Sequence, residues 1–242
     1  MQLFSLGDTA VTLELGPAIS ETLNDKVLSV NHWLQTNPFE GMVEIIAAYN
    51  SLTVYYDPFV VMKKYKPGTS IFCWVKEKLL TAVEQSPSSL NYTGIIHRIP
   101  VCYHPEFGID LAQLAFEKQI SIQQIIEWHT STIYRVYMMG FMPGFPYLGE
   151  VIQSLATPRK LKPIMVEAGS VGIAGNQTGV YPFNSPGGWN IVGRTPRSLF
   201  DRHKNPPVWI KAGDKVQFFQ IGKERWESDE WKREGENTED RI

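Results

Sequence analysis

The densest run of unusual residue types is GFMPGFPYLG, Gly140 to Gly149, where three glycines and two prolines hold Phe141, Phe145 and Tyr147 on a sharply turning loop. Glycine lets a ligand approach the backbone closely and proline lowers loop entropy, so this composition suits a preformed aromatic wall. The competing reading is plain core packing. A second run, AGSVGIAGNQTGVYPFNSPGGWNIVGRTP from Ala168 to Pro196, sets Ser170, Gln177, Thr178, Tyr181, Arg194 and Thr195 among seven glycines. Backbone amides in such turns can form an anion-binding nest, to which Arg194 could add a bidentate fork for carboxylate or phosphate. A glycine-rich β-meander with ordinary turns would account for the same residues without a ligand.

His129 and Glu106 are the candidate general bases, because either can take a proton from water near neutral pH if its surroundings tune it. His104 stands beside Pro105-Glu106 and His129 follows a helical pattern that carries Glu127, so neither forms H-E-x-x-H or another metal spacing. His129 at a helix C-terminus could equally complement the helix dipole. The chain has no G-x-x-x-x-G-K-[ST], its glycines do not open a helix as G-x-G-x-x-G does, and it has no G-x-S-x-G elbow. Neither a nucleotide fingerprint nor a serine hydrolase is supported. Cys73 and Cys102 lie in separate apolar runs and read as core thiols, which excludes a disulfide framework and gives no zinc or redox spacing.

The elements that must position these residues fall into two sets, an α+β arrangement. In the first ninety residues a strand pair turns around Gly7-Asp8, and a helical pattern follows from Ile19 to about Leu34. Strands are expected at Val43 to Tyr49 and Leu52 to Tyr56, ended by Asp57-Pro58. A helix is expected over Ser70 to Val83, where Ile71, Trp74, Val75, Lys78 and Leu79 keep helical spacing. The order ββαββα predicts a small antiparallel sheet with helices on one face. The polar stretch Gln85 to Asn91, with one proline and three serines, marks a linker between domains at 1–88 and 92–221.

After it come a strand in IIHRIPVCY, two short helices (Leu111 to Glu117 and Ile122 to His129), and a strand from Ile133 to Met139. Between Phe141 and Pro196, P-G, A-G, T-G and P-G-G turns punctuate short apolar strands, the pattern of a closed β-barrel. Residues 222–242 carry eight acids and five bases, a net −3 that leaves +1 on the rest, and are expected to form a solvated tail, either disordered or a mobile helix.

Composition excludes whole classes of function. The 242 residues are 43% hydrophobic and 20% charged with a formal net charge of −2, so no global basic field draws the protein to nucleic acid or anionic lipid. No stretch reaches the roughly 18 apolar residues of a membrane helix, and the N-terminus lacks the charged and apolar regions of a signal peptide. A cytoplasmic protein is expected.

Taken together, several runs resemble the family of the B subunit of the ATP-dependent 5-oxoprolinase. They are IPVCYHPEFGIDLAQLA, then H-x4-Y-x-V-Y-M-M-G-F-M-P-G-F-P-Y-L-G, TPRK, the long glycine block and LFD. The same family includes the sporulation-kinase inhibitor of bacilli and the allophanate-hydrolase-subunit-1 domains of urea carboxylases. The resemblance runs from LGDTA at Leu6 to GDKVQFFQI ending at Ile221. It implies a small α+β domain followed by a cyclophilin-like β-barrel, and a heteromeric complex with the A and C subunits of 5-oxoprolinase.

It further implies ATP-coupled opening of 5-oxo-L-proline to L-glutamate; since the chain shows no nucleotide motif, ATP with magnesium is expected to be bound mainly by a partner subunit or at a shared interface. An unstrained lactam is a poor electrophile, and phosphorylating its amide oxygen would make it open to water. By position the resemblance places His129, Glu106 and Arg194 in the pocket, where their chemistry makes them the expected catalytic residues. It assigns substrate contacts to Tyr103, Phe141, Gly144, Tyr147, Ser170 and Gln177, and to Thr178, Tyr181, Gly187, Gly188, Trp189 and Thr195. Ile164 follows Pro163 where members often carry a basic residue, which argues against an anion contact from that loop. The rival expectation is a regulatory module that docks a sensor histidine kinase; proline isomerisation is weaker, because the resemblance does not extend to an isomerase site. The barrel rim is the expected partner surface, with Trp226 and Trp231 as candidate anchors if the tail orders on binding.

Overall fold

The computed structural model describes residues 1–88 and 96–228. The chain divides into two compact units, Met1–Tyr92 and Thr93–Ile242. Residues 89–91 of the expected linker, and most of the charged tail with Trp231, lie outside the described residues.

In the first unit, β1 (Gln2–Ser5) and β2 (Ala10–Glu14) form a hairpin through Gly7, whose φ of 68° is open to glycine without strain. α1 (Glu21–Thr36), β3 (Met42–Ala47) and β4 (Ser51–Tyr56) follow, and the strands assemble antiparallel in the order β1-β2-β4-β3. Alternation in β4 points Leu52, Val54 and Tyr56 into the core, where they meet Val27, Val30 and Leu34 of α1. Two further helices complete the unit, α2 (Pro58–Tyr65) and α3 (Ile71–Gln85). Ser20 and Ser70 cap α1 and α3 by accepting the amides of Leu23 and Cys73, each at 3.2 Å. Cys73 itself is exposed, because α3 turns Val75, Leu79 and Ala82 inward; of the two thiols only Cys102 is a core group. α2 is the element that the sequence pattern concealed. Asp57-Pro58 ends β4 as expected, but the Asp57 carboxylate also accepts the Phe59 and Val60 amides, and Pro58 takes the first helical position. Strand terminator and helix initiator are here the same two residues.

The second unit opens with β5 (Ile96–Cys102), α4 (Leu111–Lys118), α5 (Ile122–Ser131) and β6 (Ile133–Met139). Short strands follow: β7 (Pro146–Gly149), β8 (Ile164–Val166), β9 (Ser170–Ala174), β10 (Gln177–Val180), β11 (Ser185–Gly187) and β12 (Asn190–Arg194). β13 (Lys215–Ile221) and the short α6 (Lys223–Glu227) end the described chain. Seven strands close a barrel in the order β10-β7-β6-β13-β5-β12-β9, and β8 with β11 form a separate two-stranded ribbon. β13 is the closing element: it pairs in parallel with β5 from Lys215↔Ile96 to Ile221↔Cys102 and antiparallel with β6. Inward residues such as Ile99, Val101, Val136, Leu148, Val171, Ile173 and Phe218 fill the barrel, which is therefore a packed core and not a channel.

Candidate functional site

The loop joining β6 to β7 carries Phe141 at φ 67° and Gly144 at φ 84°, and is tied by hydrogen bonds from Gly140 N–H to Phe145 O and from Phe145 N–H to Met142 O. It delivers Phe145, almost fully buried, into an aromatic cluster on the barrel wall. Phe145 meets Trp189 edge-on at 5.4 Å and Tyr181 edge-on at 5.1 Å, and lies 4.9 Å from Tyr147. A Cβ on Gly187 would sit 2.8 Å from the Tyr181 hydroxyl oxygen, so only glycine lets β11 approach this cluster so closely.

These aromatics line a cleft of about 300 Å³ together with Arg159, Lys160, Leu161 and the edge of β11. The charged side of the cleft is built by backbone pins. Thr157 and Gly175 exchange N–H···O bonds at 3.0 and 2.6 Å, and Lys160 N–H donates to Gly188 O at 2.7 Å. Arg159 is held between them at the mouth, exposed, its guanidinium carbon 5.9 Å from the Trp189 ring centre. Lys160 is committed to Asp110 at 2.5 Å, and the same Asp110 oxygen accepts the Ile191 amide at 2.6 Å. Burial pushes the Tyr147 and Tyr181 hydroxyls above the usual tyrosine range, an effect partly opposed by Arg159 at both and by the Trp189 amide at Tyr181. Both therefore stay neutral at physiological pH and keep a proton to donate.

Of the candidates named from sequence, Phe141, Tyr147, Tyr181, Gly187, Gly188 and Trp189 line this cleft. Arg194 and Thr195 line a smaller cavity of about 220 Å³ that Tyr181 and Trp226 also bound. The Arg194 guanidinium is already engaged there: it pairs with Glu167, donates from Nε to Ala168 O at 2.8 Å, and lies 5.5 Å from the Trp226 ring centre. Thr195 is buried and accepts the Arg197 amide.

His129 departs from the catalytic expectation. It is fully buried, stacked on Phe218 at 4.6 Å, with both ring nitrogens hydrogen-bonded. Thr178 Oγ1 donates to Gly172 O at 3.0 Å, so its oxygen accepts from His129 Nε2 at 2.9 Å, and His129 Nδ1 accepts the Tyr103 hydroxyl at 2.7 Å. Tyr103, His129 and Thr178 thus form one neutral, fully donated chain inside the core, and burial holds the imidazole pKa down to about 3. In this arrangement His129 has no open lone pair and no solvent contact through which to take a proton.

Glu106 lies on the surface, paired with Lys223 of α6 at 2.6 Å, which holds its carboxyl below the ordinary range. The three residues expected to be catalytic do not share a cavity. Ser170 is buried in β9, Gln177 pairs in β10 with Gly149 and Ala174, and Gly144 packs behind the loop against Phe200. Trp226 is likewise no free anchor: it packs on Phe107 at 4.5 Å.

The sequence reading missed Arg159 and Lys160. Proline-flanked TPRK shows two adjacent cations, but nothing in linear spacing joins Arg159 to Trp189, thirty positions later. The anion contact expected to be absent from this loop is available from Arg159 instead of the residue after Pro163.

A small α+β unit followed by a closed barrel with an aromatic, cation-rimmed cleft defines the class of protein. The family model described as carboxyltransferase domain, subdomain C and D, matches residues 1–210, and the chain belongs to that family. It is 43% identical over 222 residues to the 5-oxoprolinase B subunit of Bacillus subtilis, covering 91% of this chain and 92% of the relative. It is 38% identical over 226 residues to the 5-oxoprolinase B subunit of Haemophilus influenzae, covering 92% of this chain and 99% of the relative. The crystal structure of the protein called TTHA0988 matches with a TM-score of 0.75 at 33% identity, over 88% of this chain and 39% of that longer one.

Proposed function

We propose that this chain is the B subunit of an ATP-dependent 5-oxoprolinase, a heteromeric hydrolase that opens 5-oxo-L-proline to L-glutamate, and that it has no activity alone. The observation that carries this reading is the identity of 43% to a protein named as the 5-oxoprolinase B subunit, extending over nine-tenths of both chains. The cleft supports it on size and chemistry. About 300 Å³ with aromatic walls suits a small ring, and neutral tyrosine hydroxyls suit its polar edge.

Among the described residues no group of three or more His, Cys, Asp or Glu side chains could by itself hold a metal ion, and the sequence has no phosphate-cradling motif. On this reading the nucleotide is bound mainly by a partner subunit or at a shared interface, and this chain contributes a binding wall for the organic substrate.

The test is glutamate release from 5-oxoproline with ATP, using this chain alone, the two partner subunits without it, and all three together. Release only from the full mixture is expected. Release from the partners alone would overturn the obligate role, and no release from any mixture of folded subunits would overturn the substrate.

A further inference from the structure

Among the described residues that line the two barrel cavities, the cations differ in what already holds them. Lys160 is neutralised by Asp110 and Arg194 by Glu167, and Arg197 donates to Arg98 O and lies over Trp209, whereas among the described residues Arg159 has neither an ion pair nor a hydrogen bond and faces the Trp189 ring and, by charge, the Tyr147 and Tyr181 hydroxyls. The backbone that carries Arg159 is fixed, because hydrogen bonds at Thr157 and Lys160 pin the chain on either side of it. An unneutralised guanidinium at the mouth of an aromatic cleft is poised for a planar anion, and a carboxylate matches its two parallel N–H donors.

The geometry points to Arg159 as the residue that reads the carboxylate of a small cyclic acid whose ring enters the cleft beside Trp189 and Tyr181. The Tyr147 and Tyr181 hydroxyls, kept neutral by burial, then serve the ring's carbonyl or amide edge. A small lactam ring that carries a carboxylate on the carbon next to the amide nitrogen, with the ring carbonyl on the other side of that nitrogen, offers both groups, and this is the chemical class to which 5-oxoproline belongs. The assignment rests on the function proposed above for its substrate, but it names a residue and a site that the function does not require. Arg159 would be a substrate-binding and specificity residue, selecting the acid over the bare lactam.

The decisive experiment uses the assembled complex with wild-type chain, Arg159→Ala and Arg159→Lys, reading KM for 5-oxoproline and for ATP separately. Loss of a charge-assisted hydrogen bond from one end of the ligand is expected to raise KM for 5-oxoproline by about 10- to 100-fold in Arg159→Ala, and less in Arg159→Lys. KM for ATP should not move. Because Arg159 is exposed, neither variant should alter the melting temperature. An unchanged KM for 5-oxoproline in an active complex overturns this assignment and leaves the proposed function standing, as does a rise confined to ATP.

If the wild-type complex converts no 5-oxoproline, calorimetric titration of the full chain decides the cleft by itself, with 5-oxo-L-proline, 2-pyrrolidinone and inorganic phosphate as probes. Binding of the acid that exceeds that of 2-pyrrolidinone and falls in Arg159→Ala supports the assignment. Equal binding of acid and lactam, no binding of either, or Arg159-dependent binding of phosphate alone overturns it.

Discussion

His129 shows how far one side chain's role depends on its surroundings. Its Nδ1 and Nε2 are both spent in a neutral hydrogen-bonded chain, and burial holds its pKa down to about 3 against an ordinary 6.5. Between those values the unfolded chain binds a proton that the folded chain refuses. The contribution of this histidine to stability is therefore complete above about pH 6.5 and is lost at about 1.4 kcal/mol per pH unit as the pH falls toward 3. His129→Leu should destabilise the protein by about 2–4 kcal/mol at neutral pH, because it removes a stacked ring and leaves the Tyr103 hydroxyl proton without its buried acceptor. The gap between wild type and variant should narrow on acidification, which urea titrations from about pH 7 to about pH 4.5 would measure. A constant gap would mean that the folded protein admits the proton. Helix position alone gave no warning of any of this, since an acceptor at the end of an amphipathic helix looks the same whether it faces water or Phe218.

Among the elements, the tight crossing of β12's end with the turn before β9 depends on a single missing side chain. Gly169 adopts φ 84°, and a Cβ there would come within 2.3 Å of the Thr195 carbonyl oxygen, in backbone that cannot step aside. The same residue donates to Tyr181 O at 2.7 Å and accepts the Thr195 amide at 2.8 Å, so it joins three segments of the barrel rim. Gly169→Ala should lower stability by about 2–4 kcal/mol, seen as a lower urea midpoint with a similar slope. A midpoint like that of wild type would show that the rim relaxes at little cost. This element was half legible beforehand. Dense P-G and A-G turns announced a curved β structure, and α4, α5 and β6 fall within two residues of where periodicity put them. The helix α2 escaped because eight residues give periodicity little room, and the cleft's cations escaped because Thr157↔Gly175 is an isolated bridge between segments that no local pattern connects.

For the molecule as a whole, the question is whether the charged C-terminal segment belongs to the barrel or rides on it. α6 is tied down at three points, Lys223 to Glu106, Trp226 to Phe107 and Trp226 to Arg194, and Trp226 bounds the smaller cavity. The exposed ion pair contributes little in water, and the aromatic contact about 0.5–1.5 kcal/mol. Neither closes the barrel: β13 completes its ladder at Ile221↔Cys102, one residue before the segment begins. Ending the chain after Ile221 removes a net charge of −3 and leaves +1, so the shortened protein should run at a higher isoelectric point than the 6.2 of the full chain. It should keep its circular dichroism spectrum and melt only about 2–4 °C lower. In the reconstituted complex it should release glutamate at the wild-type rate, because the aromatic cleft and Arg159 lie outside the deleted segment. Collapse of the spectrum would mean that α6 is part of the barrel's closure, whereas a folded but inactive complex would assign the segment to the assembly.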